Sequence, residues 1–116
     1  MLKSNCGFMH ELEAGTLRIR LKGEIDHHSA SKLRADIDAL LYETRPKRLF
    51  LDLSEVGFMD SSGLGLIMGR YALVRELGGE MSILDPTRPI LKILNLAGIG
   101  RIIAVERTKE DSADAN

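Results

Sequence analysis

The sequence has a single cysteine, Cys6, among its 116 residues, so it cannot form an internal disulfide. Disulfides belong mainly to oxidising compartments, and their exclusion here favours the cytoplasm. A run of about 20 apolar residues, the length that spans a bilayer, is also missing. No apolar segment of signal-peptide length follows the first residues. We therefore expect a cytoplasmic protein without a membrane segment that is not exported by a cleaved signal.

An excess of charge of either sign is missing too, because 16 Lys and Arg residues face 17 Asp and Glu residues, for a net charge of −1. This balance favours neither a nucleic acid nor a membrane surface as a partner. Arg18, Arg20 and Lys22 do form a basic row on one strand. No aromatic residues interleave with it, as they do on nucleic-acid-binding surfaces, so we interpret the row as a solvated strand face.

Metal-ligand clusters are not evident either. The chain has three histidines, of which His27 and His28 are adjacent and His10 stands apart. Neighbouring residues on a chain seldom converge on one ion, and no cysteine cluster supplements them. The sequence predicts no metal site.

Two enzyme-like patterns are incomplete around Ser61. The run Asp60-Ser61-Ser62-Gly63 lacks the Gly-x-Ser-x-Gly turn of many serine hydrolases. The pair Gly63 and Gly65 begins a helix, as glycines of phosphate-binding loops do, but Met68 stands where Gly-x-Gly-x-x-Gly needs its last glycine. We expect no cofactor and no catalysis by this chain.

Strands and helices alternate along the chain, which predicts an α/β fold. Strands are expected over residues 6–13, 16–25, 47–53, 80–84 and 102–105, and residues 54–57 are expected to form a loop. Helices are expected to follow Asp26 or Ser29 and to end near Thr44, to cover about 62–77, and to follow Thr87. The fold class is then a single domain with a mostly parallel sheet of four to five strands. An antiparallel strand begins the sheet, and the helices lie mainly on one face.

The most informative stretch lies between a buried strand and the helix expected over about 62–77. Asp60, Ser61 and Ser62 are residues that cap helix N-termini, and Gly63 and Gly65 fall in the first turn, where each costs about 1 kcal/mol relative to alanine. Glycines kept at that cost indicate exposed or closely approached backbone. A phosphate is favoured at a helix N-terminus. We interpret the stretch as a docking surface with a phosphorylatable serine; the alternative is that Ser61 and Ser62 are only caps.

Further along the same helix, Gly65, Gly69 and Ala72 form a strip of small side chains. Such a strip lets another backbone come close. That backbone belongs either to a partner protein or to this domain, and the sequence leaves both open.

Several segments together resemble one family. These are Phe58-Met59-Asp60-Ser61-Ser62-Gly63-Leu64-Gly65, then Gly69-Arg70-Tyr71, Gly78-Gly79-Glu80-Met81 and, earlier, Gly23-Glu24-Ile25-Asp26-His27-His28. They are similar to the anti-sigma factor antagonists of the STAS domain class, and the paired histidines are most like those of the sporulation antagonists. The resemblance runs from about Leu17 to Ile103. It implies a STAS domain over residues 1–107 and leaves 108–116 as a polar tail, where the sporulation members have a longer apolar helix.

The resemblance also implies a mechanism. The unphosphorylated protein binds an anti-sigma factor that is also a serine kinase, and so frees a sigma factor. Phosphorylation then releases the antagonist, and a serine phosphatase resets it. The phosphorylated residue implied here is Ser61, and the implied partner-binding residues are Asp26, Asp60, Ser61, Ser62, Gly63, Leu64 and Gly65. A stress-response partner-switching module and a nucleotide-binding STAS domain are the alternatives.

Overall fold

The computed structural model describes residues 3–5 and 7–108. The strands and helices in chain order are β1 (Lys3–Asn5), β2 (Phe8–Glu13), β3 (Thr16–Ile25), α1 (His27–Thr44), β4 (Arg48–Met59), α2 (Ser61–Glu76), β5 (Glu80–Leu84), α3 (Arg88–Leu96) and β6 (Ala104–Glu106). A turn of 3₁₀ helix, Ile99–Arg101, lies between α3 and β6. Cys6 and residues 109–116 of the expected tail lie outside the described residues.

The strands form one sheet in which their spatial order is their order along the chain. Strands β1, β2 and β3 pair antiparallel, whereas β3, β4, β5 and β6 pair parallel through helical crossovers. Such crossovers are right-handed, and three in the same direction place their helices on one face. The predicted α/β class is confirmed. The sheet has six described strands instead of four or five, because β1 adds one more antiparallel edge.

The core lies between the sheet and the helices. Alternate residues of the central strands point inward and are buried, as the period-two pattern predicts. The helices contribute the buried side chains of Leu33, Ile37, Ile67, Val74 and Ile90. Strand β4 lies in the middle of this core. Its last residue, Met59, therefore fixes where α2 begins, two residues later.

The opposite face of the sheet is less solvated than the basic row predicts. Arg18 and Arg20 both contact the carboxylate of Asp52 on β4, with N–O distances of 2.8 and 3.2 Å. Asp52 is fully buried beneath them. The row is therefore a partly solvated strand face: the side chains of Arg18 and Arg20 keep some exposure to water and also cover a buried anion on the neighbouring strand.

The predicted loop at residues 54–57 is also wrong, because β4 continues through it to Met59. Glu55 and Val56 pair with Lys22 and Gly23 of β3, and the register shifts on either side of these pairs. A shift of register inserts an extra residue in one strand. The inward residues of β4 therefore change from a spacing of two to a spacing of three, at Leu53, Val56 and Met59, which conceals the strand in the sequence.

The helix boundaries agree closely with their predicted caps and breaks. Helix α1 ends at Thr44, as expected before Pro46. Helix α2 ends before Gly78, which has a φ of 90°, a backbone conformation that favours glycine. Helix α3 has a proline in its first turn. None of the described helices is both long and apolar enough to cross a membrane.

Candidate functional site

Two helix N-termini lie side by side at the carboxyl edge of the sheet. Strands β3 and β4 end at the paired residues Ile25 and Met59, and a single residue then separates each strand from its helix. These single residues are Asp26 and Asp60. The backbone N–H of Asp60 donates to the carbonyl oxygen of Ile25 at 3.2 Å. The two segments that the sequence predicts to bind a partner are therefore brought together.

Asp26 caps α1 through a reciprocal pair of hydrogen bonds. Its carboxylate accepts from the N–H of Ser29 at 2.9 Å, and the Ser29 hydroxyl accepts from the N–H of Asp26 at 3.0 Å. The hydrogen bond from the Ser29 N–H is the main cause of a lowered pKa for Asp26. This carboxylate therefore remains ionised at neutral pH and presents a fixed negative charge at the edge of the site.

Asp60 caps α2. Its carboxylate accepts from the N–H of Ser62 at 2.8 Å, and its carbonyl oxygen accepts from the N–H of Gly63 at 2.9 Å. Asp60, and not a serine, therefore satisfies the first turn of the helix. The alternative that Ser61 and Ser62 serve only as caps is wrong.

Ser61 is the first residue of α2 and is exposed. Its hydroxyl has no hydrogen-bond partner among residues 7–108. Ser62, the next residue, is only partly exposed. Of the two serines, Ser61 is the one that presents its hydroxyl freely to solvent.

The two glycines of the first turn have different causes. A methyl group added at Gly63 would overlap the side chain of Met59, which is buried, whereas one added at Gly65 would meet nothing within 4 Å. Met59 thus packs back onto the helix start, as an apolar residue just before a helix often does. Phe58 does not, since its side chain is half exposed. Packing inside the domain explains Gly63 but not Gly65.

The strip of small residues on α2 is open. Gly65 and Ala72 are exposed, and added methyl groups at Gly65 and Gly69 have no neighbour within 4 Å. Close packing within the domain is therefore not the reason for these glycines in the described part of the chain. Leu64, on another side of the helix, packs partly against the core.

Three observations bear on the catalytic and nucleotide-binding alternatives. The N–H groups of Ser62 and Gly63 already bond to Asp60, so they are not free to hold a phosphate. No hydrogen bond joins a histidine to Ser61 or Ser62 in residues 7–108. Within the same residues, no three His, Cys, Asp or Glu side chains are placed to hold a metal ion.

An ion pair between the two helices was missed by the sequence analysis. Arg70 of α2 is buried, and its Nε lies 2.8 Å from the carboxylate of Asp38 on α1. The available signal is that Arg70 follows Leu66 and Ile67 on the inward side of α2, where a buried charge needs a partner. The pair links α2 to α1.

Three comparisons with known proteins agree on one family. The model of the STAS domain matches residues 9–115. An anti-sigma F factor antagonist of Paenibacillus polymyxa is 38% identical, and the match covers 82% of this chain and 81% of the relative. Two solved structures of SpoIIAA, a Bacillus cell fate determinant and anti-sigma factor antagonist, are each 30% identical. The unphosphorylated form has a TM-score of 0.76 and a coverage of 91% for both chains.

The phosphorylated form of SpoIIAA has a TM-score of 0.70, covering 91% of this chain and 95% of that one. Both forms therefore share the fold described above. The chain belongs to the STAS domain family, and the relatives named here are anti-sigma factor antagonists.

Proposed function

We propose that the chain is an anti-sigma factor antagonist that works by partner switching. In its unphosphorylated form it binds an anti-sigma factor serine kinase through the first turn of α2 and through Asp26, and a sigma factor is released. The kinase then transfers phosphate from ATP to Ser61, and the antagonist dissociates. A serine phosphatase restores the binding form. These partners meet the chain in the cytoplasm, where its sequence also predicts it to lie.

The observation that carries the proposal is the state of Ser61. Its hydroxyl is exposed and free of hydrogen bonds within the described residues, because Asp60 caps the helix. A kinase needs a hydroxyl that can reach the γ-phosphate without breaking structural bonds. The relatives are anti-sigma factor antagonists, and one was solved in a phosphorylated form. Both findings support the same chemistry for this chain.

A phosphate on Ser61 is compatible with the fold. It adds a charge of about −1.5 to −2 near the positive end of the α2 dipole, which favours anions. The nearest N–H groups are already bonded to Asp60, so the phosphate remains on the surface. A partner shaped to a neutral hydroxyl then meets charge and bulk. We expect the partner to dissociate while the domain stays folded.

The proposal predicts one phosphate per chain when the chain is incubated with ATP and the anti-sigma factor of its own organism. Intact and peptide mass spectrometry should place that phosphate on Ser61. The variant Ser61→Ala should incorporate none, and Ser62→Ala should incorporate as much as the unaltered chain. Phosphate on another residue, or none on a chain that binds the factor, contradicts the proposed switch.

The open backbone at Gly65 gives an independent prediction. Alanine there removes the glycine penalty of an exposed helix, so the free energy of unfolding should rise by about 0.5–1 kcal/mol. The added methyl group enters the face offered to the partner, so affinity should fall about tenfold. Thermal unfolding and calorimetric titration with the anti-sigma factor measure the two effects.

Gly63→Ala is the matched control in the same turn. Its methyl group overlaps Met59, so the free energy of unfolding should fall by about 1 kcal/mol or more. A higher free energy of unfolding in Gly65→Ala and a lower one in Gly63→Ala, within one helical turn, separate the effect of packing from that of docking. If Gly65→Ala is more stable and still binds like the unaltered chain, the partner does not approach this backbone.

A further inference from the structure

A groove separates the N-terminal halves of α1 and α2. It is about 310 Å³ in volume and is lined by His27, Ser31 and Arg34 of α1 and by Ser62, Gly65 and Leu66 of α2. We call it the α1–α2 groove. Water occupies about 30 Å³ per molecule in the liquid, so the groove can hold a carboxylate side chain with ordered water. None of its lining positions is part of the ion pair between the two helices.

Arg34 brings an uncompensated charge to this groove. It is exposed and forms no ion pair or hydrogen bond with another described residue. Asp38, one helical turn further along α1, pairs with Arg70 instead. Burial lowers the pKa of Arg70, Asp38 raises it and Arg34 lowers it further, so the two guanidinium groups lie within each other's field. Arg34, Asp38 and Arg70 together carry a net charge of +1.

The groove is continuous with the proposed docking face. Ser62 and Gly65 line it, and Gly65 follows Ser61 by one helical turn, so the two lie on the same side of α2. A partner that covers Ser61 therefore also covers the mouth of the groove. A partner group that enters it meets the free Arg34, with polar atoms of His27 and Ser31 beside it.

We propose that the α1–α2 groove receives an acidic side chain of the anti-sigma factor, which pairs with Arg34. The inference rests on the proposed function and adds a determinant of partner choice. Asp26 presents a negative charge on the same edge, so the docking face carries charges of both signs in a fixed arrangement. A partner with one acidic and one basic group at the matching spacing fits it, and a partner with the charges exchanged is repelled.

The test is the affinity of the full-length chain for the anti-sigma factor of its own organism, measured by calorimetric titration. Arg34→Gln should weaken binding about tenfold or more, since a hydrogen bond to a charged group is lost. Arg34→Glu should weaken it further. Lys92→Gln, on the exposed surface of α3, removes the same charge elsewhere and should bind within about twofold of the unaltered chain. Thermal unfolding should be nearly unchanged in Arg34→Gln and Lys92→Gln, so that a loss of affinity in Arg34→Gln reports docking and not folding.

Charge reversal then identifies the partner group. Acidic surface residues of the anti-sigma factor are changed singly to arginine and titrated against Arg34→Glu, and one of them should restore most of the affinity. Equal binding by Arg34→Gln and the unaltered chain overturns this inference alone. If the unaltered chain itself does not bind the factor, the proposed function fails and this inference fails with it.

Discussion

Ser61→Asp is expected to fold like the unaltered chain and to bind the anti-sigma factor about 100-fold more weakly, or worse. Aspartate is well tolerated in the first turn of a helix, where it complements the dipole, and Ser61 has no hydrogen bond to lose within the described residues. At the centre of an interface the same carboxylate is desolvated without a partner, which typically costs 2–5 kcal/mol. Calorimetric titration and thermal unfolding separate these two effects.

Ser61→Ala tests the same switch by removing the hydroxyl that accepts the phosphate. It removes a free hydroxyl and no structural bond, so its affinity should lie within a few-fold of that of the unaltered chain. With ATP present, the unaltered chain should be phosphorylated and released, whereas the Ser61→Ala complex should persist. Size-exclusion chromatography of the two mixtures, with and without ATP, shows the difference directly.

Asn95→Asp is the matched control, since it adds one negative charge to the exposed surface of α3. It should bind and be phosphorylated like the unaltered chain. If Ser61→Asp also binds at the unaltered affinity, Ser61 lies outside the interface, and a phosphate there cannot drive release. If Ser61→Asp instead unfolds, the Ser61 hydroxyl contributes to folding, which contradicts a hydroxyl that is free of structural bonds.

Much of the fold could be predicted because each element has a local signal. Leu17, Ile19 and Leu21 alternate along one strand, and Leu33, Ile37 and Leu40 recur at helical spacing. The failures occur where the signal is not local. The sequence predicts a loop at the end of β4 because two shifts of register against β3 break its alternation. Such shifts arise from pairing with a strand that lies elsewhere in the sequence.

The candidate site shows the same limit. The segment from Asp60 to Gly65 could be found by its residue types and by the family resemblance. The separate roles of its residues could not be predicted, because each role depends on neighbours in three dimensions. Only the structure shows that Asp60 does the capping, that Met59 accounts for Gly63, and that nothing accounts for Gly65 within the domain.

Asp52, a buried charged residue that the sequence analysis did not identify, also bears on the site. Asp52 on β4 accepts hydrogen bonds from Arg18 and Arg20 of β3 and, at 2.9 Å, from the N–H of Ser54. These bonds tie β3 to β4 just before the register shifts. Beyond them the two strands run on to Ile25 and Met59, and so to both helix starts of the site. We therefore expect Asp52 to stabilise the arrangement on which docking depends.

Asp52→Asn is expected to lower the free energy of unfolding at neutral pH by about 2 kcal/mol. Removing one partner of a fully buried ion pair costs about 3–5 kcal/mol, and the value is reduced here because Arg18 and Arg20 keep part of their exposure to water. Burial raises the pKa of Asp52, but the neighbouring Ser54 and the two guanidinium groups lower it more strongly, so the pKa is lowered overall from 3.8.

The sign of that shift fixes the pH dependence. A carboxyl group whose pKa is lower in the folded chain stabilises the fold above its unfolded pKa, here about 3.8. The contribution is lost as the pH falls through the folded pKa. The difference between the unaltered chain and Asp52→Asn should therefore be constant from about pH 7 to pH 5 and should shrink below about pH 4. Urea unfolding at a series of pH values measures it.

Asp36→Asn controls for the loss of a carboxylate as such, because the partly exposed Asp36 forms an ion pair with the exposed Lys32 four residues earlier in α1, at 3.6 Å. Pairs of that kind contribute about 0.5 kcal/mol or less, so this variant should differ little from the unaltered chain at any pH. If the free energy of unfolding falls no more in Asp52→Asn than in Asp36→Asn, the two arginines are satisfied by water. A loss that persists undiminished at pH 3 would show that the packing of Asp52, and not its charge, joins β3 to β4.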